Sequence, residues 1–361
     1  MKPTVYFATM KNDLVYFDTA SAGLLSESTL QAAAKYDELL SYNASQIFYN
    51  FLADDLPIIK SNTAKLVGIA PERIAFAPNF SYIFSAFLVS VRKRKERVLL
   101  LENDYLSLTQ PFIEQDFKIS WLKSEDAFTW DFQVIEDAIK KNQIQIFAIS
   151  HVQYLTGQKS DLLRMAEICK RNKVLFLVDG TQSFGAVDFH FDKSEIDVFI
   201  ASNYKWMNGG YGSATACFKE GIIEEFRPII AGYGSFRNVD GKFTYKPSVA
   251  SYQPGHINMA PILGFGNAVK EKTAIGLAAV QQQSLALVQY FIDNLDVQKH
   301  ALIGPPNMQN RSHIVCVQAD EALHAQLLRR GIKTMFRNNS LRISFHHNNT
   351  KEDVDVLLSA L

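Results

Sequence analysis

Short apolar runs recur along the chain and alternate with amphipathic stretches. The runs at residues 174–178 and 196–201 are mostly apolar and bounded by turns, which is typical of buried parallel strands. Between such runs lie stretches with helical spacing, as at residues 161–171. The alternation predicts an α/β fold. Strands are predicted at residues 15–17, 74–76, 98–101, 144–149, 174–178, 196–201, 213–218, 313–317 and 338–345, and helices at 29–40, 55–67, 82–91, 161–171 and 261–290.

Two charged residues stand where predicted strands end. Asp179 directly follows the run at residues 174–178, and Lys205 follows the run at 196–201 after three residues. Ligands of open α/β sheets bind at this edge. A lysine amine can form a Schiff base with the aldehyde of pyridoxal 5′-phosphate (PLP), and a carboxylate can keep the pyridine nitrogen protonated. Either residue alone would favour an ordinary buried salt bridge, whereas the pair in this order favours the cofactor.

Residues 178–185 and 202–205 resemble the class V aminotransferase family of fold-type I PLP enzymes, which includes cysteine desulfurases, kynureninase and isopenicillin epimerase. The resemblance implies a large PLP-binding domain over residues 15–260, with a mostly parallel seven-stranded sheet between helices. It implies a smaller α+β domain from residues 1–14 and 261–361, connected by a helix at 261–290. It also implies an amino acid substrate and a homodimer with active sites at the subunit interface.

Further positions match the cofactor-binding motifs of this family. A strand, a turn and a helix start near residues 74–82, and free N–H groups at a helix start bind phosphate. The family carries a Gly-Thr-Thr-like triplet here, of which only the hydroxyl of Ser81 is kept; a plain N-cap role for Ser81 is the alternative. The resemblance assigns the cofactor to Lys205, Asp179, Gln182, Asn79, Phe80, Ser81, Tyr105, Tyr154, Ser202 and Tyr204, and, from the other subunit, to His256 and Asn258, where His256 replaces the family's Thr.

The resemblance assigns substrate binding to Arg342, because a guanidinium suits the α-carboxylate of an amino acid. Ala20 and Ser21 match a stretch of small residues that leaves room beside the substrate, although they would equally suit a helix entry. His151 titrates near neutrality and is a candidate acid or base, but a lone histidine at a strand end is more often structural. Lys205 and Asp179 are the predicted catalytic residues.

PLP supports several reactions, and the fold does not choose among them. Desulfurases carry a mobile cysteine just before the carboxylate-binding arginine, but residues 331–339 contain none, and Cys316 lies on a predicted strand. The pairs Gln153-Tyr154 and Tyr204-Lys205 are similar to kynureninase. We therefore expect an aminotransferase, with a kynureninase-like Cβ–Cγ lyase or an epimerase as the alternative. A desulfurase and a PLP-binding protein without turnover are less favoured.

The amino-acid composition narrows the functional classes to which the protein can belong. The 361 residues suffice for two domains, and 47% hydrophobic with 20% charged residues is typical of a globular protein. Lys+Arg and Asp+Glu both number 37, which gives no support for nucleic-acid or membrane binding. The three cysteines show no metal or disulfide spacing, no signal peptide is recognised, and no Gly-x-Gly-x-x-Gly motif follows a strand. We expect a cytoplasmic protein without a metal.

Overall fold

The structure, a computed structural model, describes residues 14–123, 130–245 and 248–361. Residues 1–13, which the sequence assigns to the smaller domain, lie outside the described residues. The strands are β1 (Val15–Tyr16), β2 (Ile74–Ala77), β3 (Arg97–Leu101), β4 (Lys118–Leu122), β5 (Ile146–Ser150), β6 (Leu175–Asp179), β7 (Val198–Ser202), β8 (Ala214–Phe218), β9 (Phe236–Val239), β10 (Lys242–Tyr245), β11 (Leu302–Ile303), β12 (Ile314–Gln318), β13 (Ile332–Lys333), β14 (Met335–Arg337) and β15 (Ser340–Ser344). The helices are α1 (Glu27–Asn50), α2 (Leu56–Val67), α3 (Phe80–Arg92), α4 (Leu106–Glu114), α5 (Phe132–Lys141), α6 (Leu162–Arg171), α7 (Ile222–Glu225), α8 (Met259–Ile275), α9 (Leu277–Asn294), α10 (Glu321–Arg329) and α11 (Lys351–Leu358).

A seven-stranded sheet in the order β2-β8-β7-β6-β5-β3-β4 forms the centre of the larger part of the chain. β8 runs antiparallel to both of its neighbours, and all other adjacent strands pair in parallel. Every residue of β2, β5, β6, β7 and β8 is buried, which explains why these strands are apolar runs without alternation. The predicted α/β fold with a mostly parallel seven-stranded sheet is confirmed.

Apolar side chains cover both faces of this sheet. On one face α3 and α4 contribute Phe84, Phe87 and Phe112. On the other face α2, α6 and α8 contribute side chains such as Met165 and Phe265. Because helices close both faces, the edge formed by the strand ends is the place where polar side chains can meet a ligand. None of the helices within the described ranges combines the length and the hydropathy of a membrane span.

A second, four-stranded antiparallel sheet has the order β11-β12-β15-β14. Its core is formed with α9 and α11 and includes Phe17, Phe291 and Phe345. β1 pairs in parallel with β13, so the start of the described chain belongs to this core. The predicted helix at residues 261–290 consists of α8 and α9, which meet at Gly276. The predicted division into two domains remains a prediction.

One glycine lies where the segment after β5 contacts the smaller sheet. Gly157 has φ 73°, and a Cβ atom there would lie 2.0 Å from the carbonyl oxygen of Ile314. The backbone N–H of Ser312 also donates to the Gly157 carbonyl at 3.0 Å. A side chain at this position therefore meets both a strained φ and a backbone atom.

We expect Gly157→Ala to lower the free energy of unfolding by about 2 kcal/mol or more beyond the loss caused by Gly221→Ala. Gly221 is the matched control, because its φ is 83° and a Cβ atom there would meet nothing within 4 Å. Urea unfolding of both variants measures the difference. Equal losses would show that the contact with Ile314 relaxes without cost.

Candidate active site

The register of the large sheet brings several strand ends to one edge. Asp179, the last residue of β6, lies opposite Ser150 at the end of β5. Ser202 ends β7, and the neighbouring β8 connects it in register to Ala77 at the end of β2. Asn79 follows two residues later and begins α3. The start of α3 therefore lies at the same edge as the ends of β6 and β7.

Asp179 and Lys205 are both buried at this edge, with 4% and 6% of their surface exposed. Asp179 Oδ1 accepts the backbone N–H of Thr181 at 2.8 Å, which orients the carboxylate. Burial raises the pKa of Asp179 to about 6 and lowers the pKa of Lys205 to about 8, and the opposite charge of each residue acts against the other's shift. The two side chains thus share one electrostatic environment, as the cofactor hypothesis requires.

Aromatic rings surround the Lys205 amine. The Nζ atom lies 5.5 Å from the ring centroid of Tyr105 and 5.7 Å from that of Tyr204. Tyr154 contacts Tyr105 edge-on, with centroids 5.3 Å apart, and Tyr211 stacks on Tyr204 at 4.7 Å. A buried amine between a carboxylate and ring faces fits a flat, aldehyde-bearing aromatic ligand.

The residues predicted to hold the phosphate lie at the α3 end of the edge. Asn79 is the N-cap of α3, and its Oδ1 accepts the backbone N–H of Tyr82 at 2.9 Å. The alternative of Ser81 as the N-cap is therefore wrong. Ser81 is exposed beside the first N–H groups of α3, while Phe80 is buried. A helix start of this kind binds an anion through its free N–H groups and its dipole.

Arg342 enters the site from β15 of the smaller sheet. Its Nη1 donates to the carbonyl oxygen of Tyr154 at 3.0 Å. Its Nη2 donates to Asp18 Oδ1 at 3.2 Å and to Ser21 Oγ at 2.5 Å. The Nε donor is buried and has no hydrogen-bond partner among the described residues. Ala20, next to Ser21, donates its backbone N–H to Ser344 Oγ at 3.1 Å. The structure thus brings all three predicted substrate residues together.

The model of the family described as Aminotransferase class-V matches residues 15–357. The chain belongs to this family. The probable cysteine desulfurase of Pyrococcus abyssi (strain GE5 / Orsay) is 21% identical and covers 98% of this chain and 94% of its own. The kynureninase of Geobacillus thermodenitrificans (strain NG80-2) is 26% identical, covering 77% of this chain and 69% of its own.

Among solved structures, a lysine-to-alanine variant of C-DES with glycine covalently linked to its PLP cofactor has a TM-score of 0.86. It is 17% identical to this chain, and the match covers 98% of this chain and 97% of that one. This likeness supports the fold. Membership of the class V aminotransferase family confirms PLP as the predicted cofactor and a PLP-dependent enzyme as the predicted class.

Two predicted residues of this class V enzyme are engaged in the protein's own hydrogen bonds. Gln182 Nε2 donates to the carbonyl oxygen of Ala20 at 3.0 Å, and its Oε1 accepts the indole N–H of Trp206 at 2.7 Å. Gln153 Oε1 accepts the backbone N–H groups of Leu155 and Thr156, both at 2.7 Å. Both side-chain amides therefore hold the loops that follow β5 and β6, and the assignment of Gln182 to the cofactor remains a prediction.

Three further residues, His151, His256 and Asn258, are predicted or considered. The backbone N–H of His151 donates to the carbonyl oxygen of Asp179 at 2.9 Å. His151 is buried with its ring near Phe189, and burial lowers its pKa to about 3, so it stays neutral over the physiological range. His256 is exposed and stacks on Phe48 of α1, with centroids 4.3 Å apart. Asn258 is exposed at the start of α8. The assignment of His256 and Asn258 to the site of a second subunit remains a prediction.

The prediction of site residues missed two buried aspartates. Asp18 binds Arg342, and Asp104 accepts the backbone N–H of Ser150 at 2.8 Å and its hydroxyl at 2.5 Å. Burial raises the pKa of Asp104, and its charge in turn acts on Asp179. Both residues carry the signal that revealed Asp179, namely a carboxylate shortly after an apolar strand.

We expect acetylation of Lys205 in the cofactor-free protein to rise between about pH 7 and 9 and then level off, because its pKa is lowered. The same residue in the urea-denatured chain is the control, and its reaction should keep rising beyond pH 10. Asp179→Asn removes the opposing negative charge and should move the midpoint to lower pH. Peptide mass spectrometry measures the modified fraction, and coincident native and denatured curves would contradict the assignment.

Proposed function

We propose that this PLP-dependent enzyme is an aminotransferase, which moves the amino group of an amino acid to a keto acid. The observation that carries the proposal is that Asp179 and Lys205 are both buried at one sheet edge and that Arg342 is near enough for its charge to act on Lys205. Transamination needs a movable base and a carboxylate clamp, and this site supplies both. PLP, when bound, supplies a ring that draws electrons from the Cα of the amino acid.

Different residues of the chain bind the substrate carboxylate, transfer the proton and hold the cofactor in this proposal. Arg342 binds the α-carboxylate, and its contacts with Asp18 and Ser21 hold the guanidinium in place. Lys205 would accept the Cα proton of the amino acid, and burial, which lowers the pKa of its amine to about 8, favours the neutral form that can accept it. Asp179 would keep the pyridine nitrogen of PLP protonated. The residues proposed to hold PLP are Lys205, Asp179, Gln182, Asn79, Phe80, Ser81, Tyr105, Tyr154, Ser202 and Tyr204, with His256 and Asn258 of a second copy.

The state of the cysteines argues against desulfuration, which needs an accessible thiolate. The chain has three cysteines, Cys169, Cys217 and Cys316, and all are buried. Burial raises the pKa of each thiol, that of Cys217 to about 12. Cys316 lies opposite Arg342 in the sheet register, but it sits within β12 at 0% exposure. The segment before Arg342 is a tight hairpin instead of a cysteine-bearing loop.

A kynureninase-like Cβ–Cγ lyase or an epimerase is the second candidate. It is favoured by Tyr204, whose ring centroid lies 5.7 Å from Lys205 Nζ, and by Tyr154 beside Tyr105. Gln153, the other kynureninase-like residue, is engaged in its own loop. We further propose a cytoplasmic homodimer in which the exposed segment with His256 and Asn258 completes the partner's phosphate site.

We expect Lys205→Ala to reduce keto acid formation by about a thousandfold or more, because the proton-transferring group is lost. Lys170→Ala, a change at an exposed lysine, is the matched control and should keep full turnover. Amino acids are screened with the holoenzyme by measuring keto acid, alanine and D-isomer. Alanine release from kynurenine would favour the lyase, D-isomer alone would favour the epimerase, and full turnover of Lys205→Ala without added amine would overturn the assignment.

Treatment of the folded enzyme with iodoacetamide should leave amino transfer unchanged, because its thiols are buried and protonated. Mass spectrometry should find no alkylated cysteine in the folded protein and three in the denatured control. Inactivation by a single alkylation, or sulfide release from cysteine, would contradict the exclusion of a desulfurase.

A further inference from the structure

The strand that carries Arg342 belongs to a tight hairpin that also carries Arg337. β14 and β15 are joined by Asn338 and Asn339, whose φ values are 51° and 52°. Two consecutive left-handed residues are typical of a type I′ turn, which fixes the register of a hairpin. The hydroxyl of Ser340 donates to the carbonyl oxygen of Arg337 at 2.6 Å and closes the turn. Arg337 therefore has a defined position relative to Arg342.

The two arginines lie on the same face of the small sheet. Arg337 pairs with Ser340, and Met335 pairs with Arg342. Directly opposed residues share a face, as do residues two apart on one strand, so all four side chains emerge on one side. Arg342 shows which side this is, because its guanidinium reaches Asp18 and Tyr154 in the cleft. The Arg337 Cζ atom lies 5.6 Å from the ring centroid of the same Tyr154.

The balance of charge differs between the two arginines. Arg342 is neutralised by Asp18, whose Oδ2 also lies 4.0 Å from Lys333 Nζ. No carboxylate among the described residues forms an ion pair with Arg337, which is exposed beside the ring of Tyr154. The positive charge of Arg337 is close enough to oppose ionisation of Arg342. With an α-carboxylate bound to Arg342, the guanidinium group of Arg337 would still lack a negatively charged partner.

We propose that Arg337 binds the acidic side chain of the substrate, so that the amino acid handled here is a dicarboxylic one. This inference rests on the proposed function, because it takes Arg342 as the α-carboxylate site. Tyr154 contacts both guanidinium groups, because its carbonyl oxygen accepts from Arg342 and its ring makes a cation–π contact with Arg337. The tight β14–β15 hairpin thus presents two guanidinium groups on one face of the small sheet. This arrangement favours substrates that carry two carboxylates.

The first test measures binding without turnover. Glutarate and valerate have the same number of carbons, but only glutarate has two carboxylates. By calorimetry on the holoenzyme, we expect glutarate to bind about tenfold or more tightly than valerate, as a charge-assisted contact allows. Arg337→Gln should abolish this difference, whereas Arg329→Gln, a change at an exposed arginine of α10, should keep it.

The second test uses kinetics. Arg337→Gln should raise KM for glutamate or aspartate by about tenfold or more and leave KM for alanine unchanged. Equal binding of glutarate and valerate by the unaltered protein, or an unchanged preference in Arg337→Gln, would overturn the inference while amino transfer itself still stood. Turnover by Lys205→Ala would instead overturn the proposed function and leave the glutarate result intact. Unchanged thermal unfolding of Arg337→Gln confirms that the variant is folded.

Discussion

Asp179 and Lys205 carry opposite charges at a place where water has little access, and a single unpaired charge there would cost several kcal/mol. The pair is tolerated because each charge offsets the burial of the other and because the Thr181 N–H orients the carboxylate. Because the two charges must stay close together, β6 and β7, whose ends lead to these residues, must be neighbours in the sheet. Burial still raises the pKa of Asp179 and lowers the pKa of Lys205, so both values move towards neutral pH. Groups with such pKa values suit acid–base chemistry.

The smaller sheet completes what the larger sheet cannot supply. The larger sheet offers an amine, a carboxylate and a helix start, but Arg342, the residue proposed to bind the substrate carboxylate, lies on β15. Arg342 connects the two parts, because its Nη1 donates to the carbonyl oxygen of Tyr154 in the segment after β5, while its Nη2 donates to Asp18, which follows β1 of the smaller part. The cleft is therefore a junction of two cores, and its chemistry depends on their relative position.

The core of the fold and the centre of the site could be predicted from local pattern. Buried strands appear as apolar runs, and Asp179 and Lys205 were found because each follows one. The predictions missed β4 and the β9–β10 hairpin, because these strands are largely exposed and lack an apolar signal. The bond between Arg342 and Asp18 joins residues 324 positions apart, and no local pattern reports such a contact. The packing of α8 in the larger core and of α9 in the smaller one is likewise visible only in the three-dimensional structure.

Between α8 and α9 the chain passes through Gly276, with φ 84° and ψ 133°, where an added Cβ atom would meet nothing within 4 Å. α8 packs with the larger core and α9 with the smaller one, so one glycine acts as a joint between them. Because Gly276 alone separates the two helices, its torsion angles set the direction in which α9 leaves α8, and so the direction of the helix on which the smaller core packs.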